Sequence, residues 1–124
     1  MNIKYIKINE TDIKAIATYD TKYPERLDEN ICELLIKLGK VRKKDITMQR
    51  KFEATSHAFD KESFDEKIGK NVARDKILIK YYAEMQRVYT NYIIALQKYT
   101  DDMYYKKCVM EDKVENAYRR YINY

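Results

Sequence analysis

The sequence predicts a mostly helical α+β fold, in which a small antiparallel sheet packs with long C-terminal amphipathic helices. Three observations predict it. The last third of the chain carries apolar residues at steps of three and four: Leu78, Tyr81, Met85, Val88, Tyr92, Ala95, Tyr99, Met103, then Met110, Val114, Ala117 and Tyr121 after a gap at Lys106 and Lys107. That is the spacing of one helical face. Two segments, 2–8 and 45–58, are patterned for extended structure. The chain has only two glycines and one proline, so few tight turns are available and helices are favoured.

The elements follow in order. Residues 2–8, Asn-Ile-Lys-Tyr-Ile-Lys-Ile, interleave β-branched and aromatic side chains with lysine and read as a short strand. Asn9 or Thr11 is placed to cap a short helix over 12–18. Thr21 to Pro24 breaks the pattern, and Pro24 suits the first turn of the next helix. Leu27, Ile31, Leu34, Leu35 and Leu38 form its stripe, and Gly39 ends it as a C-terminal cap. From 45 to 58 the period becomes two, with Ile46, Met48, Phe52, Ala54 and Ala58 on one side. This predicts one long strand, or a hairpin near Gln49 to Lys51, pairing in part with 2–8. Ser63-Phe64-Asp65-Glu66 has the form of a capping box and predicts a helix from 64 to about 99. Gly69 inside that helix costs roughly 1 kcal/mol and implies close approach of a neighbour. Thr100-Asp101-Asp102 offers a second cap, so 101–122 is either a continuation or a returning arm. Residues 1–124 read as a single domain, mixed strand and helix over 1–60 and helical over 61–124.

Net charge is +5 and the isoelectric point is near 9. That favours an anionic partner. Lys, Ile, Tyr and Asn make up 52 of the 124 residues, and their A/T-rich codons account for part of the basic balance. Cys32 and Cys108 lack metal-ligand or redox spacing and suit free thiols in a reducing compartment. No signal-peptide pattern and no membrane-length apolar run is present, so the expected location is cytoplasmic, in the host cytoplasm if the protein is phage-encoded.

The residues point to a binding protein and not an enzyme. His57 is the only histidine, and no second catalytic partner is implied by its position. Asp60, Glu62, Asp65 and Glu66 cluster at a helix N-terminus, where helix electrostatics explain them. No glycine-rich phosphate loop exists. No cofactor and no metal are therefore expected. The anion- or partner-binding candidates are Arg42, Lys43, Lys44, Arg50, Lys51 and Arg74. The first five lie in a basic run over 37–51 that holds a single acid, Asp45. Lys37 and Lys40 are expected to serve the helix end. Tyr118, Arg119, Arg120 and Tyr121 mix rings with cations and are candidates for base stacking. Ten of the thirteen tyrosines lie between Tyr81 and Tyr124. Tyrosine carries an apolar ring with a polar tip. Tyr81, Met85, Val88, Tyr92 and Tyr99 are therefore expected to form an oligomer or partner face, most simply a two-fold homodimer or higher oligomer.

The stretch Arg50-Lys51-Phe52-Glu53-Ala54-Thr55-Ser56-His57-Ala58-Phe59-Asp60, followed by Ser63-Phe64-Asp65-Glu66-Lys67-Ile68-Gly69-Lys70-Asn71-Val72-Ala73-Arg74-Asp75-Lys76-Ile77, resembles a family of small phage proteins that includes the Thoeris anti-defence proteins. The likeness covers residues 50–77 and lies in a strand, an Asp-containing cap, an Ile-Gly pair and an Ala-Arg helical turn. The family's tryptophan and its Leu-Glu-Gly-Tyr segment are absent here, where Ile79-Lys80-Tyr81-Tyr82 stands instead. The resemblance implies a phage or prophage origin and a counter-defence role. The partner would be a host defence protein of the CRISPR type, or the nucleotide signal of an immune enzyme. Two further expectations stand beside it: a basic nucleic-acid-binding accessory protein of a phage or plasmid, and a structural coiled-coil protein.

Overall fold

The computed structural model describes residues 2–124. A three-stranded antiparallel sheet in the order β1 (Asn2–Lys7), β2 (Asp12–Thr18), β3 (Lys51–His57) lies against one continuous helix, α3 (Glu66–Ile122). A short helix α1 (Glu29–Lys37) and a single helical turn α2 (Lys43–Ile46) occupy the connection between β2 and β3. The α+β, mostly helical reading holds.

The central strand is β2, where the sequence predicts a helix over 12–18. Ala, Lys and Ile there are unremarkable helix formers, but the run also alternates. Ile13, Ala15 and Ala17 are buried, while Asp12, Lys14 and Ile16 face the other side. Pairing on both edges decides the outcome, because two ladders of backbone hydrogen bonds and a buried face outweigh a weak local propensity. Asn9 accordingly caps no helix. Its Oδ1 accepts from the amides of Thr11 and Asp12, at 2.9 Å each, and so forms the hairpin between β1 and β2. β1 therefore pairs with 12–18, and it is β2 that pairs with 51–57.

Pro24 is buried in the connection, and α1 starts later, at the Asp28 cap, whose carboxylate accepts from the Ile31 amide. Gly39 ends α1 as expected. Its φ is +71°, and the amides of Gly39 and Lys40 donate to the carbonyls of Ile36 and Leu35. Those two bonds define a Schellman motif. The buried face of α1 is Cys32 with Leu35; Ile31, Leu34 and Leu38 of the predicted stripe stay exposed. The period-two run over 45–58 is only in part a strand. Ile46 and Met48 are buried, but from α2 and the loop after it, and extended pairing begins at Lys51.

Helix α3 begins at Asp65, whose carboxylate accepts from the Ile68 amide at 3.1 Å. Ser63 is not the cap. Its amide donates to Asp60 Oδ1, and the chain is still turning there. The helix continues without a break to Ile122, so 101–122 is a continuation and not a returning arm. Thr100 does not cap it. Its hydroxyl donates to the Leu96 carbonyl inside the helix.

The predicted stripe of α3 is the face that closes the core. Ala73, Ile77, Val88 and Ala95 are fully buried, and Tyr81, Met85 and Tyr92 pack beside the core residues Ala15, Ala17, Phe52 and Ala54. Small residues on both surfaces bring helix and sheet close. At Gly69 a Cβ would lie 2.9 Å from Ile13 Cδ1 and 3.4 Å from Ser56 Oγ, which is the close approach that its place in a helix implied. Tyr81 meets Tyr19 and Phe52 with ring centroids 5.4 and 5.7 Å away. Burial pushes its phenol up to about 12.

Candidate functional site: a basic groove beside the long helix

The connection from Gly39 to Asp45 is clamped onto the middle of α3. Arg87 donates to the carbonyls of Lys44, Asp45 and Thr47, at 3.1 to 3.2 Å, and Asn91 donates to the Asp45 carbonyl at 2.8 Å. One turn of otherwise unpaired backbone is thereby satisfied by two side chains of α3, and Ile46 is driven into the core. Further along, Lys40 forms an ion pair with Asp102. This contact corrects the expectation that Lys40 serves the end of α1: its ammonium ties the connection to α3.

Between these two clamps lies an open groove of about 620 Å³. Its floor holds Ile36, Val41 and Ile94, and its walls carry Lys40, Arg42, Lys43 and Lys98 against one lining acid, Asp45. Asn91 and Lys98 stand on one face of α3 because they are seven residues apart, two helical turns. Arg42 donates to Asp45 at 2.9 Å but remains 72% exposed, so the pair is a surface one. Exposed pairs of this kind are worth at most about 1 kcal/mol. An incoming phosphate or carboxylate competes with them at little cost and gains charge-assisted hydrogen bonds in return.

Of the predicted anion-binding residues, the structure brings Arg42 and Lys43 to this groove. Lys44 is their exposed neighbour on α2, and its carbonyl is held by Arg87. Lys51 lies elsewhere, in a second groove between β3 and α3 that also holds Lys80, Arg87, Glu53 and Glu84; Lys51 pairs with Glu53 at 2.8 Å. Arg50 is exposed just before β3. Arg74 is on α3 thirteen residues before Arg87, roughly 20 Å along the axis at 1.5 Å per residue, and pairs with Asp75. The six candidates therefore do not form one site. Lys98 is the groove residue that sequence reasoning missed. Its only signal is its helical phase with Asn91, and nothing in the sequence says which loop crosses there.

The expected oligomer face at Tyr81, Met85, Val88, Tyr92 and Tyr99 is instead used within the chain. Val88 has no exposed surface, and Tyr81, Met85, Tyr92 and Tyr99 are half-buried against the chain's own body. A sheet of three short strands covers more of the helix than its size suggested, because α1, α2 and Tyr23 also pack there. Past Asp102 none of the other described elements covers α3, and Tyr104, Tyr105, Met110, Val114, Tyr118 and Tyr121 are exposed. Tyr118 and Tyr121 lie 6.1 Å apart at 43°, and Arg119 pairs with Glu115 at 2.6 Å. The two rings thus share a side of the arm while Arg119 is turned along it.

His57 donates from Nδ1 to Asp12 Oδ1 at 2.8 Å across the β2–β3 ladder. With Asn9 and Thr11 it surrounds the Asp12 carboxylate and holds it below the usual range, His57 contributing most. Cys32 is fully buried, and its thiol is pushed up to about 11, chiefly by desolvation. No helix is long and apolar enough to cross a membrane among the described residues. Compared with family models, curated proteins and solved structures, the chain matches none of them.

Proposed function

We propose that this chain is a stoichiometric binding protein that takes an anionic partner in the groove between Lys40–Asp45 and Asn91–Lys98. The convergence of Arg42, Lys43 and Lys98 on an open groove with a single lining acid, beside a Lys40 held by Asp102, carries the reading. A partner presenting phosphates or clustered carboxylates fits it by charge. The sequence resemblance over 50–77 extends the proposal to a phage- or prophage-encoded counter-defence role, directed at a nucleotide signal or at a CRISPR-type effector. In this reading the protein carries out no turnover, and His57 orders the sheet edge through its contact with Asp12.

The test is a plating assay in hosts that carry a Thoeris or a CRISPR system. Expression of the chain is expected to restore phage plating in one of them. Lys43→Glu combined with Lys98→Glu is expected to lose at least tenfold in binding, about 1.4 kcal/mol, and to lose the protection. Lys106→Glu with Lys107→Glu, away from the groove, is expected to keep both. Protection that survives reversal of the groove charges rejects the site. A second reading, a nucleic-acid accessory protein, is favoured by the exposed Tyr118-Arg119-Arg120-Tyr121 segment. It predicts binding of a single-stranded oligonucleotide that weakens steeply between 50 and 200 mM salt, as phosphate contacts require.

A further inference from the structure

We infer that the free arm of α3 is a self-association surface, on which a second copy's arm lies antiparallel. The steps of the apolar stripe change where the arm leaves the body. Up to Tyr99 they alternate three and four, 78-81-85-88-92-95-99. Three successive steps of four, 95-99-103-107, with Lys107 standing in the stripe's gap, then shift the phase, and 107-110-114-117-121 resumes the alternation. An added four-residue step of this kind is the stutter that separates coiled-coil segments. It falls beside Asp102, the last residue of α3 clasped to the body through Lys40. The first segment is spent on the sheet. The second keeps the 3.5-residue period that a coiled-coil seam requires, and has no partner among the described residues. A helix of about twenty residues held only by its own hydrogen bonds is marginal in water.

The seam itself selects the occupant and its direction. A two-fold centred at Asp112 pairs Met103 with the second copy's Tyr121, Lys107 with its Ala117, and Met110 with its Val114. Each layer then joins a long side chain to a partner of different shape, and the three repeat by symmetry. Lys107, the one polar seam residue, faces alanine, with its ammonium held aside by Glu111 at 3.2 Å. Its stem fills the layer while the charge stays wet. A parallel pair would set Lys107 on Lys107 and body against body. The antiparallel pair also places the basic tip, Arg119 and Arg120, within about a turn of the second copy's acidic Asp101 and Asp102, and opposes the two helix dipoles. Glu111 is then level with the second copy's Lys113, and the like-charge pair that falls level, Asp112 with Asp112, lies on the exposed outer side of the helices and costs a few tenths of a kcal/mol by analogy with exposed like-charge pairs. Shifting the register by seven residues toward the body would bring the second copy's Tyr121 level with Leu96, where α3 already packs. At the unshifted register the second copy's Tyr121 lies five residues from Lys98, about 7.5 Å along the axis. Its tip therefore borders the basic groove.

Sedimentation and light scattering on the full chain test this. Wild type is expected to be a dimer at tens of micromolar, and Met110→Glu with Val114→Glu a monomer with an unchanged urea midpoint, since both positions are exposed and outside the body. Spin labels at Tyr105, Asp112 and Arg119, in a Cys108→Ser background, read the direction. The antiparallel pair is expected to give a distance at 112 shorter than those at 105 and 119, while equal distances at all three would reject it. A wild-type monomer at 100 μM, or a dimer that survives the double glutamate change, overturns the proposal. The first outcome assigns the seam to a different protein, and neither bears on the groove.

Discussion

Asp65, Asp12 and Gly69 show how single residues settle local structure. Four residues, Ser63 to Glu66, satisfy the written form of a capping box, yet Asp65 provides the cap and Ser63 belongs to the preceding turn. Asp65→Ala is expected to cost about 1 kcal/mol in urea unfolding, and Ser63→Ala only a few tenths. The opposite order would place the start of the helix at Ser63. Asp12 sets an acid limit. Its carboxyl is depressed in the folded chain, chiefly by the His57 hydrogen bond, so its stabilising contribution is present above the unfolded value near about 4 and is lost as pH falls through the folded value. Asp12→Asn is expected to be less stable than wild type at pH 7 and to converge with it below about pH 4. A constant gap from pH 7 to pH 2.5 in denaturant titrations would show that the carboxylate is not the source. Gly69 was legible because glycine in a helix has a known cost and therefore a reason. The shift of the cap by two residues was not, since Ser and Asp compete for that role on nearly equal terms.

Among the elements, β3 is an edge strand whose exposed side is closed by the molecule itself. The carbonyls of Lys51, Glu53 and Thr55 point away from β2, and they accept from Gln49 Nε2, Lys80 Nζ and Lys76 Nζ at 2.6, 2.6 and 2.9 Å. Lysines of α3 thus occupy acceptors that another strand would need. Among the described residues no side chain does this for the outward carbonyls of β1. Replacing both Lys76 and Lys80 by alanine is expected to produce species heavier than wild type in concentration-dependent light scattering, through pairing at β3. An unchanged mass distribution would show that the lysines protect nothing. The sequence could announce α3 and β1 because each has one strong period. It could not announce β2, whose Ala-Ile-Lys composition serves helix and strand alike and is decided by its two neighbours. Nor could it separate α2 from β3, because Ile46 and Met48 keep step with Phe52 and Ala54 while adopting a different backbone.

At the scale of the whole molecule, the division between body and arm was hidden for a related reason. Tyrosine-rich positions look alike in sequence whether a sheet covers them, as at Tyr81 and Tyr92, or nothing does, as at Tyr118 and Tyr121. The groove was hidden more deeply. It joins residues 40–45 to 91–98, about fifty positions apart, and only the clamps made by Arg87 and Asn91 bring them together. Charge and periodicity mark surfaces one element at a time; a site built from two elements becomes visible when the contacts between them are known. One uninterrupted helix runs through both halves of this arrangement. No glycine or proline follows Gly69, so between Lys98 at the groove and Tyr118 at the tip there is no hinge, only twenty residues of rod, about 30 Å. The rod is a ruler and a protractor together. Each residue added to it would lengthen the reach by about 1.5 Å and turn the tip by about 100°, so whatever engages groove and tip at once reads a distance and an azimuth that the chain itself has already set.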